Sequence, residues 1–139
     1  MRVNLDLITV GDIVGTNSIR FLSNANGLSI ALTLLSSRNN CAPVVDSKGT
    51  FIGFVSEFDL LKAIESGQDP GALKAKDIMT KSLHAVSEST SIEDAVMRME
   101  DMHLLSLPVV DSSGVVTQTI TRHDLLRASL GVDLGIENV

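Results

Sequence analysis

Two short stretches of the chain carry residues whose types and spacing can do chemistry. In "GFVSEFDLL" (Gly53 to Leu61) an apolar run ends in Ser56, and Asp59 stands three residues on at the start of a second apolar run. In "TITRHDLL" (Thr119 to Leu126) Thr121 and Asp124 repeat that arrangement. A carboxylate can accept from both cis hydroxyls of a ribose at once, and such charge-assisted bonds are the stronger kind. A hydroxyl residue at a helix start lies beside free N–H groups, which with the helix dipole favour a phosphate. Arg122 adds a cation to one such pole, whereas Glu57 sets an anion at the other, so the two places are not expected to bind alike. The same spacing is also a capping box, in which Ser or Thr and an acid three residues later satisfy orphan N–H groups. The residues themselves leave cap and sugar pocket both open.

The recurrence is part of a longer duplication. At an offset of 65, twelve identical pairs fall between positions 12–63 and 77–128 without a gap. They cluster: Asp12-Ile13 on Asp77-Ile78, Pro43 through Ser47 on Pro108 through Ser112, Gly49 on Gly114, Asp59-Leu60-Leu61 on Asp124-Leu125-Leu126, and Ala63 on Ala128. A unit repeated in this way is the first thing to establish about a fold. The chain divides into an N-terminal segment 1–9, repeat one 10–66, a linker 67–74 marked by Gly67, Pro70 and Gly71, repeat two 75–131 and a tail 132–139.

The elements that must position the acids follow from local pattern. In repeat two, "SLHAVS" reads as a short strand, and Ser91 caps a helix whose Ile92, Ala95, Val96, Met99 and Met102 recur at helical spacing. "LPVVD" is an apolar strand, "DSSG" a turn and "VVTQTI" the returning strand of a hairpin. A helix then runs from about Arg122 to a stop at Gly131. Repeat one follows with "SIRFLS", a helix near Leu28 to Ser37 carrying Leu28, Ala31, Leu32 and Leu35 on one face, "APVVD", "DSKG", "TFIGFV" and a helix from Glu57 to Glu65. Each repeat is thus β-α-β-β-α with a short "DI" helical turn ahead of it. The fold class is mixed α/β (α+β): two tandem repeats expected to pack sheet to sheet about a pseudo-twofold axis, each covering the other's apolar face.

Composition closes off other classes. Of 139 residues, 44% are hydrophobic and 20% charged, which suits a packed domain and not a disordered chain. A net charge of −6, no Lys/Arg cluster and only four aromatic residues speak against a nucleic-acid partner. No apolar stretch approaches the roughly 20 residues that span a bilayer, and "MRVNLDLITVGD" has acids where a signal peptide would stay apolar, so no membrane association is expected and a cytoplasmic location is. Cys41 is single and expected to be a buried structural thiol. His84, His103 and His123 lack metal-ligand spacing. Asp46 and Asp111 read as turn residues; Met97, Met99 and Met102 as core or interface; Glu88, Glu93, Asp94, Glu100 and Asp101 as a solvated face. With no nucleophile–base pair, metal set or phosphate-cradling "GxxxxGK[ST]" loop, no catalytic activity is expected.

The ordered set, a lead-in like "KDIMT", a "PVVD" strand, a Gly turn and a strand ending in "GFVSEFDLL" or "TITRHDLL", present twice at constant spacing, resembles a tandem pair of CBS (cystathionine-β-synthase) domains, a Bateman module. The resemblance covers Val10 to about Gly131. It implies a non-catalytic sensor that binds an adenosine-containing ligand (AMP, ADP, ATP or S-adenosylmethionine) in clefts between the repeats, forms a homodimer and signals to a regulated protein. The family motif of Gly, two apolar residues, Ser or Thr, two variable residues and Asp is complete at Gly53 to Asp59; Gln118 takes the place of its Gly in the second copy. By resemblance Asp59 and Asp124 hold ribose hydroxyls, and Ser56 and Thr121 donate to ribose or phosphate. Val55 and Ile120 precede them in the site, Ile19, Arg20, His84 and Ala85 flank the adenine, and Thr80 stands nearby. The rival reading is a ligandless module whose exposed helices make a homodimer or dock an enzyme or transporter.

Overall fold

The computed structural model of the chain describes residues 8–131 except 14 and 16. Their backbone clusters into two compact units. The Asp59 unit comprises Ile19–Leu83 and Ser113–Val116; the Asp124 unit comprises His84–Ser112 with the described parts of Met1–Ser18 and Thr117–Val139.

In the Asp59 unit the order is β1 (Phe21–Leu22), α1 (Gly27–Ser37), β2 (Cys41–Val45), β3 (Phe51–Ser56), α2 (Glu57–Glu65) and α3 (Ala75–Ile78). Its sheet runs β1-β2-β3, with β1 parallel and β3 antiparallel to β2. The register passes from Val44 opposite Gly53 to Val45 opposite Phe51, so Ile52 is a bulge residue. In the Asp124 unit β4 (Val86–Ser87), α4 (Ile92–Asp101), β5 (Ser106–Val110), β6 (Val116–Thr121, its first residue counted with the Asp59 unit) and α5 (Arg122–Ser129) repeat that order, and the sheet runs β4-β5-β6. The first strand of each copy is shorter than its sequence suggests. "SIRFLS" and "SLHAVS" keep only two paired residues each, opposite Val44–Val45 and Val109–Val110.

The cores are built from the strands and one stripe of each helix: Ile30, Leu34, Val44, Val55 and Leu60 in one unit, Ile92, Met99, Val109, Ile120 and Leu125 in the other. For α4 the expected stripe faces inward as far as Met99, while Met102 lies past the helix end and is exposed, as is Met97. For α1 the expected stripe faces outward. Leu28, Leu32 and Leu35 are 51, 58 and 66% exposed, and Ile30 and Leu34 are the buried pair. The reason is that "GLSIALTLLSS" is apolar on both sides, so its periodicity carries no phase. Cys41, at the head of β2, is half-buried and not fully interior.

Turn chemistry follows the sequence. Asp46 Oδ1 accepts from the N–H groups of Thr50 and Lys48 at 3.0 and 2.9 Å, and Gly49 follows at φ 85°. Those bonds, Thr50 first, hold the Asp46 carboxyl below the usual carboxylate range. The sign is that of a depressed acid: the turn is favoured above the ordinary carboxylate pKa and loses that support as pH falls through the lower folded value. Gly114, at φ 81°, turns the second hairpin, whose tip Ser113–Val116 belongs to the Asp59 unit and pairs within it through Phe51 N–H to Gly114 O and Val116 N–H to Gly49 O, at 3.0 and 3.1 Å.

The lead-in turns are exchanged between the repeats. The segment ahead of repeat two packs in the Asp59 unit: Ala75 and Lys76 donate to the carbonyls of Ala25 and Ser23, both at 2.9 Å, and Ala75 is wholly buried. The segment ahead of repeat one packs in the Asp124 unit: Val10 and Gly11 donate to the carbonyls of Thr90 and Glu88, both at 2.8 Å, and Val10 is wholly buried. The strand that closes each sheet thereby gains a partner on its open edge. Phe54 and Thr80 exchange bonds of 2.8 and 2.7 Å, and Thr119 N–H reaches Asn17 O at 3.0 Å.

Arg38 caps the C-terminus of α1 and the turn after α4 contains His103, residues 65 apart that both adopt left-handed backbone, φ 58° and 53°. Left-handed backbone costs a residue with a Cβ roughly 1–2 kcal/mol, partly offset in glycine by its greater unfolded-state entropy. Arg38→Gly and His103→Gly are therefore each expected to stabilise the fold by about 0.5–1 kcal/mol in denaturant unfolding. Destabilisation by either would mean that its side-chain contacts outweigh the strain.

Candidate functional site

Both acids are built into capping boxes. Ser56 caps α2: its N–H and Oγ donate to Asp59 Oδ2 at 2.9 and 3.0 Å, and Asp59 N–H returns a bond to Ser56 Oγ at 3.1 Å. Thr121 caps α5 in the same way, with Asp124 Oδ2 accepting at 2.9 and 3.2 Å and Asp124 N–H donating back at 3.2 Å. A hydroxyl has one proton, and here it is given to the carboxylate. Ser56 and Thr121 therefore do not donate to a ligand in this arrangement; their part is to aim the acid and hold the helix start.

The remaining carboxylate oxygens differ. Asp59 is half-buried, and its Oδ1 accepts from Thr80 Oγ1 at 3.3 Å, which the lead-in strand delivers. Asp124 is 6% exposed, and its Oδ1 has no hydrogen-bond partner among the described residues. One oxygen fixed by the cap and one turned elsewhere is the geometry in which a carboxylate can serve as cap and acceptor together.

The glycine difference between the copies has a steric counterpart. A Cβ on Gly53 would lie 2.7 Å from Met79 Sδ and 2.9 Å from Thr80 O, so Gly53 is what lets the lead-in lie against β3. In the Asp124 unit the crowded glycine is on the lead-in. A Cβ on Gly15 would fall 1.4 Å from Gln118 Oε1, so the carboxamide of Gln118 occupies the space a side chain at position 15 would need. The small residue has changed strands, and Gly15, which stands 65 residues before Thr80, offers no hydroxyl to Asp124.

The other expected site residues are scattered. Val55 and Ile120 are wholly buried in the two cores and leave no surface exposed to a ligand. The strand's alternation dictates this: with Ser56 and Thr121 turned to the helix cap, the preceding residue points to the opposite face. Ile19 packs against the core of the Asp59 unit, and Arg20 Nη1 donates to Val116 O. His84 is half-buried, and Ala85 O accepts from Arg98 Nη1 at 2.7 Å. Arg122 lies on the side of α5 that faces α4, where with Val96, Met99, Leu104, Leu125 and Leu126 it lines an apolar groove of about 680 Å³. Sequence reasoning did not find this groove; its signal was the pairing of Leu126 with the Leu104-Leu105 step after α4. Among the described residues there is no helix long and apolar enough to cross a membrane, and no cluster of three or more His, Cys, Asp or Glu that could hold a metal ion.

Two tandem β-α-β-β-α repeats, each ending in a capped acid, define the class. The CBS domain profile matches residues 10–66 and 75–131, and the chain belongs to the CBS domain family. Among curated relatives, an uncharacterised protein of Methanopyrus kandleri is 27% identical over 121 residues, 86% of this chain and 62% of that protein. The L-aspartate semialdehyde sulfurtransferase of Methanocaldococcus jannaschii is 25% identical over 118 residues, which are 85% of this chain and 22% of that protein. The chain thus spans less than two thirds of either. A crystal structure of CBSX2 in complex with AMP superposes with a TM-score of 0.76 at 28% identity, covering 89% of this chain and 97% of that one. The CBS domain pair of protein MJ0100, in complex with 5′-methylthioadenosine and S-adenosyl-L-methionine, gives 0.75 at 25% identity, covering 88% and 96%.

The interlock at Gly15 yields a coupled prediction. Gly15→Ala should cost no more than about 1 kcal/mol in the unaltered chain, because the group in its way is the free end of the half-buried Gln118 side chain, which can turn aside. In a Gln118→Ala background that cost should fall toward zero, a coupling read by a double-mutant cycle in urea. Additive costs would show that the two residues do not compete for one space.

Proposed function

We propose that the chain is a regulatory module that binds an adenosine-containing small molecule, with Asp59 and Asp124 holding the ribose and the start of α2 or α5 facing the rest of the ligand. The observation that carries the reading is the dual use of each acid: Oδ2 is committed to the cap, and the second oxygen of Asp124 is left unpaired in a nearly buried position. Membership of the CBS domain family and the adenosine compounds bound by CBSX2 and by the MJ0100 domain pair support it. Thr80 is assigned to the Asp59 site, where its hydroxyl already reaches the carboxylate. Ile19, Arg20, His84 and Ala85 are assigned to the adenine through backbone and apolar contact. The role we assign to both acids is binding, in keeping with their place in the helix caps.

The rival reading, association through exposed helices, has its own observation. The groove beside α5 and the outward leucines of α1 leave apolar side chains exposed on the outer faces of the helices. We infer that these faces pair two copies of the chain, so that dimerisation and ligand binding belong to one device; a regulated protein reading that device is part of the same proposal. A ligand can shift such an assembly only by its difference in affinity between two states.

Thermal unfolding with AMP, ADP, ATP and S-adenosylmethionine tests the binding claim. A true ligand at a hundred times its dissociation constant adds about 2.7 kcal/mol and raises the midpoint. No shift with any of them would leave the association reading standing alone.

A further inference from the structure

We propose that the two helix starts sort adenosine compounds by charge: the Asp124 site takes a 5′-phosphorylated nucleoside, and the Asp59 site takes a phosphate-free one. This rests on the reading that adenosine compounds bind at these two acids.

Three independent features of the first turns separate the sites. The first is the supply of backbone donors. At α2 the Glu57 N–H is given to Asn40 O at 2.8 Å and the Asp59 N–H to Ser56 Oγ at 3.1 Å, which leaves Phe58 as the open donor. At α5 the Asp124 N–H is given to Thr121 Oγ1 at 3.2 Å, while the N–H groups of Arg122 and His123 both lack a partner among the described residues. Open N–H groups at a helix start are what an anion binds.

The second is charge. The first residue of α2 is Glu57, whose Oε1 accepts from Asn40 Nδ2 at 3.3 Å and is thereby held at the helix start. A phosphate there meets two carboxylates within one turn. The first residues of α5 are Arg122 and His123, and Asp124 is the one acid of that turn. Arg122 flanks the groove toward α4, so its guanidinium acts on a phosphate at the helix start through its field, which salt screens, and not by direct contact.

The third is the acid itself. Asp124 is 6% exposed, and its Oδ1 is a carboxylate oxygen that no group among the described residues already serves, so a ribose hydroxyl finds an unoccupied acceptor there. Asp59 is more open, and Thr80 already serves its second oxygen. The Asp59 site therefore gains less from a hydroxyl and repels a phosphate, which favours an adenosine compound with an uncharged or cationic 5′ group.

Titration calorimetry with AMP and with 5′-methylthioadenosine decides the matter, applied to the unaltered chain and to Asp59→Asn and Asp124→Asn, since asparagine keeps the capping oxygen and removes the charge. Asp124→Asn should weaken AMP at least about tenfold and leave methylthioadenosine within about twofold; Asp59→Asn should do the reverse. AMP binding that depends on Asp59, or equally on both acids, overturns the sorting while leaving the binding reading intact. If neither compound binds the unaltered chain, the binding reading itself fails. Glu57→Gln decides independently of whether the asparagine variants fold: removing that charge should admit AMP to the Asp59 site and raise the stoichiometry from one to two per chain. A stoichiometry that stays unchanged in Glu57→Gln contradicts the role given to Glu57.

Discussion

The bond from a helix's third residue back to its cap is the constraint on which each site depends. Asp59 and Asp124 give Oδ2 to the N–H and hydroxyl of Ser56 and Thr121, at 2.9 to 3.2 Å. A cap of this kind contributes about 1 kcal/mol to its helix, a modest amount. Its larger effect is orientational: a free aspartate samples several rotamers, whereas one tied twice to the preceding strand presents its second oxygen in one direction. On the proposed function, stability and site are two uses of the same bonds, and cap and pocket do not exclude each other.

What makes the second oxygen useful is decided by the lead-in segments, and these come from the other repeat. Thr80 reaches Asp59 because the chain leaving α2 returns along the open edge of β3, where Gly53 leaves room for it. At the other acid the chain runs past Gly15, which yields its space to Gln118 and brings no hydroxyl. A single exchange of glycine between facing strands thus turns two copies of one motif into two different environments. Combined with Glu57 at one helix start and Arg122 at the other, it gives duplicated sequence a divided chemistry.

Much of this was legible in the residues. The duplication, the order of elements, the extent of α2, the Asp46 and Gly49 turn and both capping boxes follow from local patterns whose physics is short-range. The inward side of α1 was not, because a helix with leucine on both faces has no unique phase, and the face carrying Leu28, Leu32 and Leu35 turned out to be the outer one. Nor was the exchange of lead-ins, since nothing in "KDIMT" distinguishes docking on its own repeat from docking on the other. Val55 and Ile120 were named for the site by their neighbours in the motif, and strand alternation sends their side chains into the core instead.

The central claim is that a capping acid and the open N–H groups beside it form the grip on the ligand. An amide proton–nitrogen NMR titration with AMP reads those groups directly. The account predicts that the amides of Arg122 and His123 show the largest shifts, with Phe58 at the other helix start scarcely moved. Shifts that spare both helix starts while AMP binds would contradict it.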